Sequence, residues 1–370
     1  MDRSHGTRSV DRRSALKTLA AGGATTALAS PAIAQSQPTI RWRLASSFPK
    51  SLDALYACAS LFIQRVKEAT DGKFEIQFFG PGEIVGALQV LDAVQNGTIE
   101  CCHTGSYYFV GKDPAFAFAC QVPFGLNARQ QEAWLLEGGG AALIDAFMAK
   151  YNIVHMHFGN TGAQMGGWFR KEIKTVDDLK GLKFRIGGLS GNILQKLGVV
   201  PQQIAAGDIY PALERGTIDA AEWVSPIDDE KLGFVKVAKY YYYPGWWEAG
   251  PLTNLFINQG KWNELPPHYQ AIVRSASAEA SRIMLAKYDA LNMAALRRLI
   301  GAGAELRTFS REILEASFKA TQETMTELAA KSPDFKTIYE PWSKFRADIN
   351  LWFSVSETPL DSFLQRALRT

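Results

Sequence analysis

The chain has 370 residues, 47% of them apolar and 21% charged, with ordinary numbers of glycine (31) and proline (16). That size and apolar content suffice for two domains with cores of their own, which excludes a disordered, collagen-like or disulfide-scaffold protein. The formal charge of +3 resides in residues 1–34, where Arg3, Arg8, Arg12, Arg13 and Lys17 face only Asp2 and Asp11; the remainder carries 35 charges of each sign. A neutral body has no electrostatic footprint for nucleic acid or an anionic membrane.

Asp11-Arg12-Arg13-Ser14-Ala15-Leu16-Lys17 precedes a mildly apolar stretch from Leu19 to Leu28, and Ala32-Ile33-Ala34 supplies the small residues a signal peptidase accepts. Residues 1–34 therefore read as a Tat-type signal peptide, and the mature chain from Gln35 as a periplasmic protein. Beyond residue 34 no uninterrupted apolar run approaches bilayer length. Cys58, Cys101, Cys102 and Cys120 could pair in an oxidising compartment, but a chain of this length does not need disulfides, and buried thiols are expected.

The mature chain begins with strand-like alternation over 39–45, then a helix that Ser51 could cap, with Leu55, Ala59, Phe62 and Val66 on one face and Gly72 beyond its end. Strand-like 74–79, a helix near 87–95 and strand-like 98–104 follow. The same order restarts in the middle: strand 182–186, helix 192–197, strand 199–204, helix 209–215 and strand 217–223. Such alternation predicts an α/β fold of two lobes with largely parallel sheets. Strand-like 252–258 then leads into a long helix opened by Pro266-Pro267 and running to about Leu299. The expected boundaries are 38–160 with 251–300 for the first lobe, 161–250 for the second, and 301–370 for a C-terminal helical segment. Strands that cross between two lobes make a hinge, and a hinge over a cleft suits a ligand trap.

No H-E-x-x-H, G-x-S-x-G, Walker lysine loop or spaced Cys/His set occurs after residue 34. Cys101-Cys102-His103 lacks zinc-site spacing, and His155 and His157 lack a third ligand. Nothing nominates a nucleophile with its base, which leaves an enzyme open but without a candidate site.

Three segments exceed what a bland fold needs: Asn160-Thr161-Gly162-Ala163-Gln164-Met165-Gly166-Gly167-Trp168, Asp178-Leu179-Lys180-Gly181-Leu182-Lys183-Phe184-Arg185, and Gly216-Thr217-Ile218-Asp219-Ala220-Ala221-Glu222-Trp223. The last two, in this order, resemble the signature of the DctP family, the extracytoplasmic substrate-binding proteins of TRAP transporters, over essentially the whole mature chain. Ala45-Ser46-Ser47-Phe48-Pro49-Lys50-Ser51, the Gln164 segment, Glu222-Trp223 and Tyr243-Pro244-Gly245-Trp246-Trp247-Glu248 resemble more closely its TakP-like, α-keto-acid-binding subgroup.

The resemblance implies a two-lobed periplasmic-binding-protein fold and a receptor for a small 2-oxo or 2-hydroxy monocarboxylate of the pyruvate or lactate kind, delivered to TRAP membrane subunits. It implies that Arg185 clamps the ligand carboxylate, a role that suits the planar fork of a guanidinium; an ion pair is the alternative. It implies a cation held by Gln164, Glu222 and the Trp223 carbonyl, with Glu248 as a further ligand or a hydroxyl acceptor. An all-oxygen set suits Na⁺ or Ca²⁺, and the choice between them stays open. Tyr107 or Tyr108 would touch the ligand, with Asn160 beside it and Phe48 and Trp247 as apolar walls; if both tyrosines lie on a strand, only one can face inward. An exported metal-dependent lyase or hydrolase acting on an organic acid is the rival reading.

Near the end, Pro341 could open a helix whose Trp342, Phe345, Ile349, Trp352 and Phe353 share one stripe. The stripe either caps its own core or docks on a second copy, and the resemblance favours a homodimer through the C-terminal helix.

Overall fold

The computed structural model describes residues 38–368; the twin-arginine stretch and Ala32-Ile33-Ala34 lie outside them. Eleven strands build two sheets in the described residues. The first has the order β2-β1-β3-β10-β4, from β1 (Ile40–Ser46), β2 (Phe74–Phe79), β3 (Cys101–Thr104), β4 (Ile153–Asn160) and β10 (Leu252–Asn258). The second has the order β11-β9-β5-β8-β6-β7, from β5 (Trp168–Phe169), β6 (Lys183–Arg185), β7 (Val200–Gln202), β8 (Ala220–Ala221), β9 (Tyr240–Tyr243) and β11 (Glu305–Thr308).

Both sheets are mixed rather than largely parallel. β1 pairs parallel with β2 and β3, as a strand–helix–strand order dictates, but β10 runs antiparallel to both β3 and β4. In the second sheet β5 is antiparallel to β8 and β9. The reversed strands β5 and β10 are the first strands after the chain passes from one sheet to the other, after β4 and after β9; a third passage, after β10, leads to β11, which lies parallel to β9. The segment after residue 301 opens with β11, which pairs with β9, so it begins as part of the second sheet before it becomes helical.

The helix Asp53–Ala69 buries Leu55, Ala59, Phe62 and Val66, the face its spacing predicts, but its N-cap is Leu52 without a side-chain cap, so Ser51 does not serve. The long helix Pro267–Gly301 packs on that helix, on β4 and on the short helix Pro226–Leu232. It thereby touches β4 of the first sheet and the helix that follows β8 of the second. All four cysteines are free and buried, as expected. Among the described residues no helix is long and apolar enough to cross a membrane.

The terminal helix starts at Pro333, capped by Ser332, and contains Pro341 instead of starting there. Its apolar stripe divides. Trp342 is buried against Phe118, whereas Trp352 is 61% exposed, beside exposed Leu351 and Val355. The following helix Thr358–Ala367 buries nothing and exposes Leu360, Phe363 and Leu364.

Candidate functional site

Between the sheets lies an enclosed cavity of about 20 Å³, room for little more than a water molecule. Phe48 reaches it from the turn after β1, and Tyr107 and Tyr108 from a 3-10 turn, Ser106–Phe109. Because that segment is a helical turn and not a strand, the expectation that only one tyrosine can face inward does not hold: both line the cavity, ring centroids 4.8 Å apart. From the second sheet's side come Gln164, Trp223 and Val224. Tyr107 lies so close to Gly187 that a Cβ there would stand 2.4 Å from its ring, and Gln203 Nε2 donates to the Tyr108 carbonyl at 2.9 Å. These two contacts bring the two halves together around the cavity.

Four backbone segments are stitched together behind the lining. Gln164 N–H donates to the Glu248 carbonyl, Gly245 N–H to the Gln164 carbonyl, Met165 N–H to the Val224 carbonyl and Glu222 N–H to the Arg185 carbonyl, all within 3.0–3.2 Å. Gln164, Glu222, Trp223, Glu248 and Arg185 are consequently fixed as one group, although they span 85 positions of sequence.

Its electrostatics centre on Arg185, 1% exposed, whose Nη1 donates to the Glu222 carboxylate at 2.5 Å and to the Glu222 carbonyl at 2.6 Å, while Nε donates to Ile204 O. Its guanidinium carbon stands 5.0 Å from the Trp223 ring centroid. Burial pushes Glu222 up to about 7 despite Arg185, with Asp229 adding in the same direction. Burial and the neighbouring Glu222 hold Glu248 well above the usual carboxylate range.

The unpaired atoms show what the group can bind. Gln164 Nε2 donates to Thr161 Oγ1, whose own hydroxyl donates to Gly162 O; this orients the amide and leaves Gln164 Oε1 buried without a donor. Glu222 Oε2 and Glu248 Oε2 are likewise buried without a donor. A buried acceptor without a partner costs about 1–3 kcal/mol, and more when charged. Three such side-chain oxygens in one group, with the Trp223 carbonyl as a main-chain oxygen beside Glu222, are of the type that could hold a hard cation such as Na⁺ or Ca²⁺. Among the described residues no three His, Cys, Asp or Glu side chains gather as a metal cluster; this set depends on an amide and a main-chain oxygen.

Two expected contacts lie elsewhere. Asn160 has both ends engaged, Nδ2 to Gly250 O at 3.0 Å and Oδ1 from Gly162 N at 2.7 Å, so it staples the crossing after β4 and is absent from the cavity lining. Trp247, 1% exposed, packs edge-on against Phe184, Trp246 and Phe309, behind the site instead of on its wall. Gly105, Cys120, Pro251, Leu252 and Thr253 also line the cavity and carry no local pattern that marks them, while Leu55 reaches it from the buried face of the helix Asp53–Ala69. Leu252 and Thr253 are there because β10 inserts beside β3.

The model of the DctP family, bacterial extracellular solute-binding protein family 7, matches residues 45–332. A monocarboxylate 2-oxoacid-binding periplasmic protein of Nostoc sp. is 51% identical over 358 residues, 95% of this chain and 98% of that protein. A TRAP transporter solute-binding protein of Bordetella bronchiseptica is 53% identical with a TM-score of 0.89, covering 90% of this chain and 99% of that one; it is a mixed-occupancy dimer with calcium and picolinate in one site. A periplasmic one from Pseudoalteromonas atlantica, 36% identical with a TM-score of 0.85 over 88% of this chain and 99% of that one, holds sodium and pyruvate. With a family model over most of its length and a relative half identical from end to end, the chain belongs to the DctP family of extracytoplasmic solute-binding proteins.

Proposed function

We propose that the protein is the receptor of a TRAP transporter for a small 2-oxo or 2-hydroxy monocarboxylate such as pyruvate, and that Na⁺ or Ca²⁺ is bound with it. The observation that carries this reading is the set of buried unpaired side-chain oxygens on Gln164, Glu222 and Glu248 beside Arg185, next to a small cavity that Gln164 and Trp223 line. The Nostoc, Bordetella and Pseudoalteromonas relatives support it by what they bind. The cation supplies positive charge to the buried carboxylates and coordination for a carboxylate oxygen and its α-oxygen.

The chain's own residues do the rest. Arg185, paired with Glu222, offers its fork to the carboxylate. Tyr107, Tyr108, Thr161, Gln164 and Trp223, whose Nε1 is a buried donor without a partner, are polar residues of the cavity lining. Phe48, Leu55 and Leu252 exclude water and limit ligand size. Residues 38–160 with 251–300 act as one lobe and 161–250 as the other, and ligand shifts the balance from open to closed. The membrane subunits read the closed form, and the ligand leaves chemically unchanged.

The Bordetella relative's dimeric state supports the further proposal that a second copy covers the exposed residues of the two terminal helices. The test of the main reading is calorimetric titration with pyruvate after exhaustive chelation and desalting, then with Na⁺ or Ca²⁺ restored. Binding that requires a cation, with the acid recovered intact by mass spectrometry after long incubation, supports the reading; loss of the acid supports the lyase or hydrolase instead.

A further inference from the structure

Directly after the cation-facing residues the chain turns into the helix Pro226–Leu232, whose first turn carries two adjacent, fully buried carboxylates, Asp228 and Asp229. They serve different elements. Asp228 Oδ2 accepts from the hydroxyl of Tyr288 on the long helix. Asp229 faces the other way: its Oδ2 accepts from Trp168 Nε1 at 2.9 Å and Tyr241 Oη at 2.6 Å, and its Oδ1 from Val224 N–H at a long 3.4 Å.

Those three donors surround the segment that presents Glu222 and the Trp223 carbonyl. Trp168 on β5 stands opposite Ala221 of β8 and opposite Tyr241 of β9, and the Trp168 and Tyr241 rings stack at 4.0 Å. Val224 is the residue after Trp223, and its N–H shares a peptide group with the Trp223 carbonyl; its own carbonyl accepts from Met165, next to Gln164. One carboxylate thus restrains the peptide plane that sets the direction of the Trp223 oxygen and anchors it to the two strands behind. A carbonyl at 2.3–2.6 Å from an ion loses most of its value when its plane rotates, which is why groups behind ligands tune affinity.

We infer that Asp229 is a positioning residue of the cation site, holding the Trp223 carbonyl and Glu222 in the orientation that coordinates the ion. The inference rests on the cation reading proposed above. Asparagine at this position keeps the size but must turn an N–H₂ toward either Val224 N–H or the Trp168 and Tyr241 donors, so one side of the anchor is lost.

The test is calcium titration of chelated full-length protein in the presence of excess pyruvate, with the thermal midpoint of the chelated protein measured in parallel. Asp229→Asn is expected to weaken calcium binding tenfold or more, in line with the losses seen when groups behind metal ligands are removed. Asp228→Asn, the neighbouring buried carboxylate that touches only the long helix, is expected to change the midpoint and leave calcium affinity unaltered. Trp168→Phe and Tyr241→Phe each remove one donor and retain the stacked ring; a calcium-specific loss in both supports the inference should Asp229→Asn fail to fold. Wild-type calcium affinity in Asp229→Asn, or in both aromatic variants where it does not fold, overturns it, as does an equal loss in Asp228→Asn. Wild-type protein that binds pyruvate equally well without any cation sinks the underlying cation reading, and this inference with it.

Discussion

Arg185 and Glu222 form a buried ion pair, and that pairing sets what each substitution should do. A lysine at 185 keeps the charge but replaces a fork with a point, losing at least one charged hydrogen bond worth about 1.5–3 kcal/mol, roughly 10–150-fold in affinity. Titration of Arg185→Lys with pyruvate measures it, and wild-type affinity would remove Arg185 from the site. Glu222→Gln takes one charge from the cation set and should weaken both acid and cation binding, and in each protein the factor by which the cation strengthens acid binding should equal that by which the acid strengthens cation binding. Calorimetry in each order checks that reciprocity.

Asp228 carries a separate prediction about pH. Burial raises it from 3.8 to about 7 in the folded state. A carboxylate whose folded value is raised binds its proton more tightly when folded. Its contribution to stability is therefore fully present below about pH 4 and lost as pH rises through 7. Asp228→Asn stays neutral throughout, so its thermal midpoint should fall less than that of the wild type between pH 5 and pH 8. Midpoints measured across that interval decide the matter; parallel curves would show that Asp228 does not titrate there.

At the scale of elements, the terminal helices carry the assembly prediction. Trp342 belongs to its own core, packed on Phe118, so a cut at Glu340 would open that core instead of merely parting a dimer. Leu351, Trp352 and Val355 are 68%, 61% and 74% exposed and form the face free to meet a partner. Burying large apolar side chains is worth about 1.5–3 kcal/mol each, enough for several together to hold a dimer against the entropic cost of association. Replacing Leu351, Trp352 and Val355 with glutamate should yield a folded monomer with pyruvate affinity intact. Sedimentation at micromolar concentration reads the outcome, and a triple variant that remains dimeric places the interface elsewhere.

For the whole molecule, the narrow contact between halves at Tyr107 and Gly187 is the point of leverage. Gly187 is not in a left-handed conformation, so alanine is tolerated by its backbone, yet its Cβ would stand 2.4 Å from the Tyr107 ring. Gly187→Ala should hold the lobes apart, reduce pyruvate affinity tenfold or more and leave the ligand-free midpoint nearly unchanged; small-angle scattering should show the variant failing to compact on adding ligand. Unchanged affinity would mean that the halves close without that contact.

Periodicity and local chemistry decide much of this protein before it folds. The strand–helix order of 39–104 and 182–223, the buried face of Asp53–Ala69 and the long helix from Pro267 are all legible in sequence, because a 2.0 or 3.6 repeat of apolar residues reports directly which side of an element meets a core. The site segments stand out because amides, glycines, an arginine and a glutamate at element ends have no packing role to explain them. Tertiary structure decided what depends on neighbours distant in the chain. It turned Tyr107 and Tyr108 together toward the cavity through a 3-10 turn, and it consumed both ends of Asn160 in the crossing after β4. It also placed Trp247 behind the site and divided the terminal stripe at the edge of the core. Each of these depends on which side chain reaches a position first, and that competition between far-separated segments leaves no trace in local spacing.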